Sequence, residues 1–144
     1  MIVVPFIPAH LEGFELQKKQ AFIHKYMTDP KYVKVMTDYG EAHTGIEGGK
    51  PVVIAGMYQP HNHIGCVWAL LSKDCNQYLL AATRHIKKWL DSSNISRLET
   101  AVHRDFLEGQ RWANMLGFTR ETNEHGMKNF GVDDGIYDLY ARYS

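Results

Sequence analysis

Between Val67 and Phe118 the spacing of apolar residues changes period twice, and the rest of the chain is read around that stretch. Val67–Leu71 is a continuous apolar run that predicts a buried strand. Ser72, Lys73 and Asp74 follow it and offer caps for a helix. Tyr78, Leu79, Ala82, Ile86, Trp89 and Leu90 then recur at helical spacing, while Arg84, Lys87 and Lys88 fall on the other face. Ser92, Ser93 and Asn94 end that helix, and Ile95–Val102 places Leu98, Thr100 and Val102 on one side of a second strand. Asp105 and Glu108 match a capping box, so a second helix is predicted from about Asp105 to Gly117. Asp74–Ser93 is long enough to cross between parallel strands, which makes the unit βαβα.

Upstream, Ile2–Phe6 reads as a strand, and Pro8 turns the chain into helical segments over His10–Lys19 and Ala21–Met27. Pro30 interrupts these, and Tyr32–Met36 suggests one more helix ending near Gly40. From Ala42 the period becomes two. Ala42–Glu47 and Pro51–Tyr58 form a predicted hairpin through Gly48-Gly49, and His63–Leu71 is the next antiparallel strand. Phe118–Glu121 and Ile136–Tyr143 are the last strands, separated by a polar loop, Thr122–Asp134. Trp68 and Trp89 are assigned to the core. Trp112 adjoins Ala113, so helical phase places only one of the two inward and leaves the tryptophan for a contact surface.

At 144 residues the chain is read as a single domain, residues 1–144. Its 16 basic and 16 acidic residues cancel, which removes the electrostatic basis for nucleic acid as a partner. The opening MIVVPFIPAH is too short and too interrupted by proline for export or membrane spanning, so it reads as a strand and not as a signal peptide. Cys66 and Cys75 make no disulfide framework, which points to a reducing compartment. His61, His63 and Cys66 have the residue types of a zinc site, but Cys66 has the opposite strand parity to His63, and no metal is expected.

The element order, with Gly117-Phe118 closing the last helix, resembles the GNAT fold of the Gcn5-related N-acetyltransferases: α/β, a mixed central sheet flanked by helices. PAHLEGFEL, KPVVIAG, VWALLSKD and HIKKWLD further resemble a GNAT-like phage group that includes a small internal virion protein of short-tailed phages. The resemblance implies acetyl-CoA in a cleft where the fourth and fifth strands part, its pyrophosphate on the amides opening the crossover helix. The positions this implies are Leu70, Leu71, Ser72, Lys73, Asn76 and Gln77, with Arg84 available to the 3′-phosphate.

Two departures from the family pattern stand out. The family favours Q/R-x-x-G-x-G/A at the phosphate loop, whereas Leu71–Gln77, LSKDCNQ, has no glycine and carries Asp74. Where many members carry a thiolate-protonating tyrosine this chain has Ala113, and Phe106 stands at the position of a frequent asparagine. Tyr137, Tyr140 or Tyr143 is left as a substitute donor, and Glu41 and His43, with His61, as a general base. The expectation is therefore a phage-encoded protein with a degenerate acetyl-CoA site, in the virion or the host cytoplasm, that binds a virion or host protein. The alternative is an active N-acetyltransferase with an atypical phosphate loop.

Overall fold

The computed structural model describes residues 1–144. One sheet carries strands β1 (Ile2–Pro5), β2 (Gly40–Glu47), β3 (Lys50–His61), β4 (Ile64–Leu71), β5 (Arg97–His103), β6 (Thr119–Arg120) and β7 (Tyr137–Tyr143) in the spatial order β1-β2-β3-β4-β5-β7-β6. Four α-helices flank it: α1 (His24–Met27), α2 (Pro30–Asp38), α3 (Leu79–Asp91) and α4 (Leu107–Met115). Every neighbouring pair is antiparallel except β4 and β5, which the α3 crossover makes parallel as expected. Gly48 and Gly49 take φ of 55° and 77°, the left-handed values a two-residue hairpin turn requires.

Strand parity divides the core in two. Val53, Ala55 and Leu71 face α3 and α4, where they meet Ala82, Ile86, Leu90 and Leu116. Ile54 and Leu70 face the other side and pack under Phe6, Phe14, Met27 and Met36 from the N-terminal segment. Burying apolar surface on both faces makes the central strands continuous hydrophobic runs. No helix is long and apolar enough to cross a membrane.

The parallel pair is short. Only Ile64, Gly65 and Cys66 oppose Arg97, Leu98 and Glu99. Beyond them β4 and β5 part, and the later half of β4 has no strand on that side.

Several expectations need correction. The helix expected over His10–Lys19 does not form: a 3-10 turn, Pro8–Leu11, is followed by Gly13 at φ 69°, and Leu16 then bridges Ser72 in antiparallel fashion. A second 3-10 turn, Lys18–Ile23, leads into α1. Pro30 opens a helix, with the Asp29 side chain accepting from the Lys31 amide at 2.9 Å. Neither predicted cap exists. A 3-10 turn, Cys75–Tyr78, separates Asp74 from α3, and α4 starts one residue beyond Asp105, after Phe106, with no side-chain cap, while the Asp105 amide donates to His103 Nδ1 at 3.1 Å and not to Glu108.

Trp112 is also corrected. It is buried beside a buried Ala113, and its indole N–H donates to Thr83 Oγ1 on α3 at 2.7 Å. Helix α4 packs against both the sheet and α3, so two adjacent side chains find cover in different directions. Trp68 and Trp89 are half-buried against the two cores. Both cysteines are free, and burial pushes the Cys75 thiol up to about 11.

Candidate functional site

The parting of β4 and β5 leaves an apolar cavity of about 300 Å³. Val67 and Ala69 line it from β4, Val102 from β5, Phe106 and Ala113 from the start and middle of α4, and Tyr137 from β7. Lys19, Gln20, Phe22 and Ile23 stand at its rim. The split is the natural place for a ligand because it is where the sheet leaves backbone groups without a strand partner. Phe106 and Ala113 both reach this wall, so neither the asparagine amide nor the tyrosine hydroxyl of the resembled pattern is present there.

From Leu71 to Cys75 the turn between β4 and α3 has its amides in use. The Leu71 amide donates to Gln20 Oε1 at 2.8 Å, Ser72 to the Val52 carbonyl at 3.0 Å and Lys73 to the Glu15 carbonyl at 2.9 Å. Asp74 donates to Ser72 Oγ at 3.3 Å, and Cys75 to the Ser72 carbonyl at 3.1 Å. The Lys73 ammonium is 2.7 Å from Glu15. Through that hydrogen bond Lys73 is raised above its ordinary value and Glu15 held below its own, so the cation already has a counter-ion. The Asn76 side-chain carbonyl accepts from Gln17 Nε2 at 3.0 Å. Leu70 is buried against the N-terminal segment, while Gln77 and Arg84 are exposed. A diphosphate needs unengaged donors. The Leu71–Cys75 amides as arranged do not fit it.

Of the three tyrosines, only Tyr137 reaches the cavity. Its hydroxyl donates to Asp133 Oδ1 at 3.0 Å, and Asp133 also takes the Gly135 amide at 3.2 Å and faces His103 Nε2 at 3.3 Å. Burial and then the Asp133 contact push the Tyr137 phenol above its ordinary value. Burial pushes Asp133 up, but the bonds from Gly135 and Tyr137 outweigh it and hold the carboxyl below its usual range. The His103 ring accepts the Asp105 amide on Nδ1, so the neutral tautomer carries its proton on Nε2, towards Asp133. This His103–Asp133–Tyr137 cluster pins the loop before β7 to the end of β5. Tyr140 is in the α3 and α4 core with its hydroxyl 3.4 Å from Gln110 Oε1, and burial raises it too. Tyr143 is exposed and bonds Arg97 and Glu121.

Glu41 and His43 lie elsewhere. They pair at 3.2 Å on the wall of a separate cavity of about 370 Å³ between β2 and α3, where Trp89 meets the His43 ring edge-to-face at 5.3 Å. Two strands separate β2 from β5, and the structure does not bring this pair to the split. His61, at the end of β3, and His63, on the turn before β4, stack on each other with ring centroids 5.8 Å apart, both exposed. No three His, Cys, Asp or Glu side chains gather as a metal would require. Gln20, which lines the split, and Glu15 and Gln17, which hold the end of β4 and the turn after it, were not among the expected site residues. Nothing in their local spacing marks them, since their partners lie about fifty residues away.

No protein-family model matches the chain, and no curated protein does. Solved structures do match. A probable acetyltransferase from Staphylococcus epidermidis superposes with a TM-score of 0.73 at 12% identity, over 99% of this chain and 98% of that one. An acetyltransferase of the GNAT family from Streptococcus pneumoniae gives 0.60 at 14% identity, over 99% of both chains. The ribosomal L7/L12 alpha-N-protein acetyltransferase RimL, in complex with coenzyme A, gives 0.67 at 12% identity over 98% of this chain and 92% of that one. At such identities the likeness is one of architecture, and it agrees with the parted parallel pair and the strand order: this chain has the GNAT acetyltransferase fold.

Proposed function

We propose that this is a phage-encoded protein that keeps the GNAT scaffold for binding a virion or host protein and does not transfer acetyl groups. The observation that carries the reading is the run of amides from Leu71 to Cys75, each already bonded within the chain. A diphosphate seated there must break several of those bonds and displace Glu15 from Lys73. Two further features support it. Ala113 brings no proton donor to the cavity wall, and Tyr137, the tyrosine on that wall, is held by Asp133 as a weaker acid than a free phenol. The narrower resemblance of KPVVIAG and VWALLSKD to a phage group supports the class of partner.

Thermal unfolding with acetyl-CoA tests this. A ligand at ~100 times its dissociation constant stabilises a native state by ~2.7 kcal/mol, or roughly 5–10 °C for a chain of this size. The expected result is no shift at millimolar acetyl-CoA, together with recovery of the protein in purified virions or on a host protein. A clear shift with acetylation of lysate proteins would overturn the reading.

An active N-acetyltransferase is the second reading, and one observation favours it: the split remains an open apolar cavity with a tyrosine on its wall. The same melting experiment separates the two.

A further inference from the structure

We infer that Gln20 is the specificity-determining residue of the split: its side-chain amide occupies the β4 edge that a linear, amide-bearing thioester would need. The inference rests on the reading above. Along β4, Leu70 pairs with Ile54 and the Ser72 amide bonds Val52, so even-numbered residues turn their backbone groups towards β3. Ala69 and Leu71 turn theirs the other way, into the split. Pairing with β5 ends at Cys66, so these are the groups that the divergence orphans.

Gln20 satisfies two of them at once. Its Oε1 accepts the Leu71 amide at 2.8 Å, and its Nε2 donates to the Ala69 carbonyl at 2.9 Å. A carboxamide presents one acceptor and one donor side by side, as does an extended residue whose own N–H and C=O face the same edge, so it stands in for one residue of the strand that is missing. The Gln17 amide takes the Leu71 carbonyl at 2.9 Å and continues the substitution, and the Lys73 amide closes it on Glu15. The stand-in reaches the edge through a side chain on a 3-10 turn and not through a paired strand, so one substitution removes it while the Glu15–Gln17 contacts stay in place.

The ligand class that competes for Ala69 and Leu71 is a flexible chain with its own amides and an apolar thioester end, without a diphosphate. S-acetyl-pantetheine is such a molecule and serves as the probe. The wild-type protein is expected to show no melting shift at millimolar S-acetyl-pantetheine, and Gln20→Ala a rise of about 3 °C or more. The Leu71 amide is expected to exchange with solvent faster in the variant.

A folded Gln20→Ala protein with no ligand shift overturns the inference, as does a wild-type protein that shifts equally. Should Gln20→Ala not fold, Gln20→Asn, one methylene too short to span both groups, is judged by the same shift. Stabilisation of the wild-type protein by acetyl-CoA would sink the non-catalytic reading. Failure of the probe on the variant alone would sink only the role given to Gln20.

Discussion

Replacing Trp112 with alanine is expected to cost about 3–5 kcal/mol of folding stability, the range for truncating a buried tryptophan. That is a large part of the ~5–15 kcal/mol that holds a domain together. The indole is 8% exposed and lies in the cluster under α3 and α4. Its N–H reaches Thr83 Oγ1, whose own hydroxyl donates within α3 to the Leu79 carbonyl at 2.6 Å, so one bond ties the two helices and a second fixes the Thr83 hydroxyl to receive it. Trp112→Phe keeps most of the apolar area and loses the hydrogen bond, and is expected to cost about 1–2 kcal/mol. Urea unfolding measures both. An unchanged midpoint for Trp112→Ala would put the residue back on the surface, where helical phase first placed it.

The second large effect is expected at Asp138. Its side chain is 1% exposed and accepts Arg104 Nη2 at 2.7 Å, Arg104 Nε at 3.2 Å and Thr122 Oγ1 at 2.7 Å. Asp138→Ala leaves the Arg104 guanidinium without its counter-ion, with the Asn123 and Glu124 carbonyls still accepting from it. Because Arg104 is 30% exposed and regains some water, the expected loss is about 3 kcal/mol, the low end for breaking a buried pair.

The pH dependence has a definite sign. The hydrogen bond from Arg104 holds the Asp138 carboxyl below its ordinary value. A group depressed in the folded state adds stability that is complete above the unfolded value of ~3.9 and is lost as pH falls through the lower folded value. Wild-type stability is therefore expected to fall more steeply than that of Asp138→Ala between about pH 5 and pH 2. Parallel profiles would mean that the pair contributes nothing specific.

What was legible in the sequence was what local pattern encodes. The change of period at Ala42, the Gly48-Gly49 turn and the helical spacing from Tyr78 to Leu90 place the hairpin and the crossover within a few residues of where they form. The segment from His10 to Lys19 was misread because Leu11, Phe14 and Leu16 suit a helix as well as they suit an irregular strap over a sheet. Bonds to Leu71 and Lys73, more than fifty positions away, decide between them. The site divides along the same line. That Leu71–Gln77 lacks glycine is plain from the letters, and so is Ala113. That the turn's amides already belong to Val52, Glu15 and Gln20 depends on the fold bringing three remote segments together. The Asp105–Glu108 cap failed on a local detail: the helix starts one residue later, after Phe106, and the Asp105 amide turns back to His103.

Three residue pairs are all that sew β4 to β5, so the sheet consists of two leaves, β1–β4 and β5–β7, each laced internally by its own ladder. With so few rungs across the seam, the core beneath α3 and α4, to which both leaves contribute side chains, also joins them. A change of volume at Leu98 or Leu116 can therefore widen or narrow the gap without unzipping a single rung, which makes the aperture the easiest dimension of this architecture to retune.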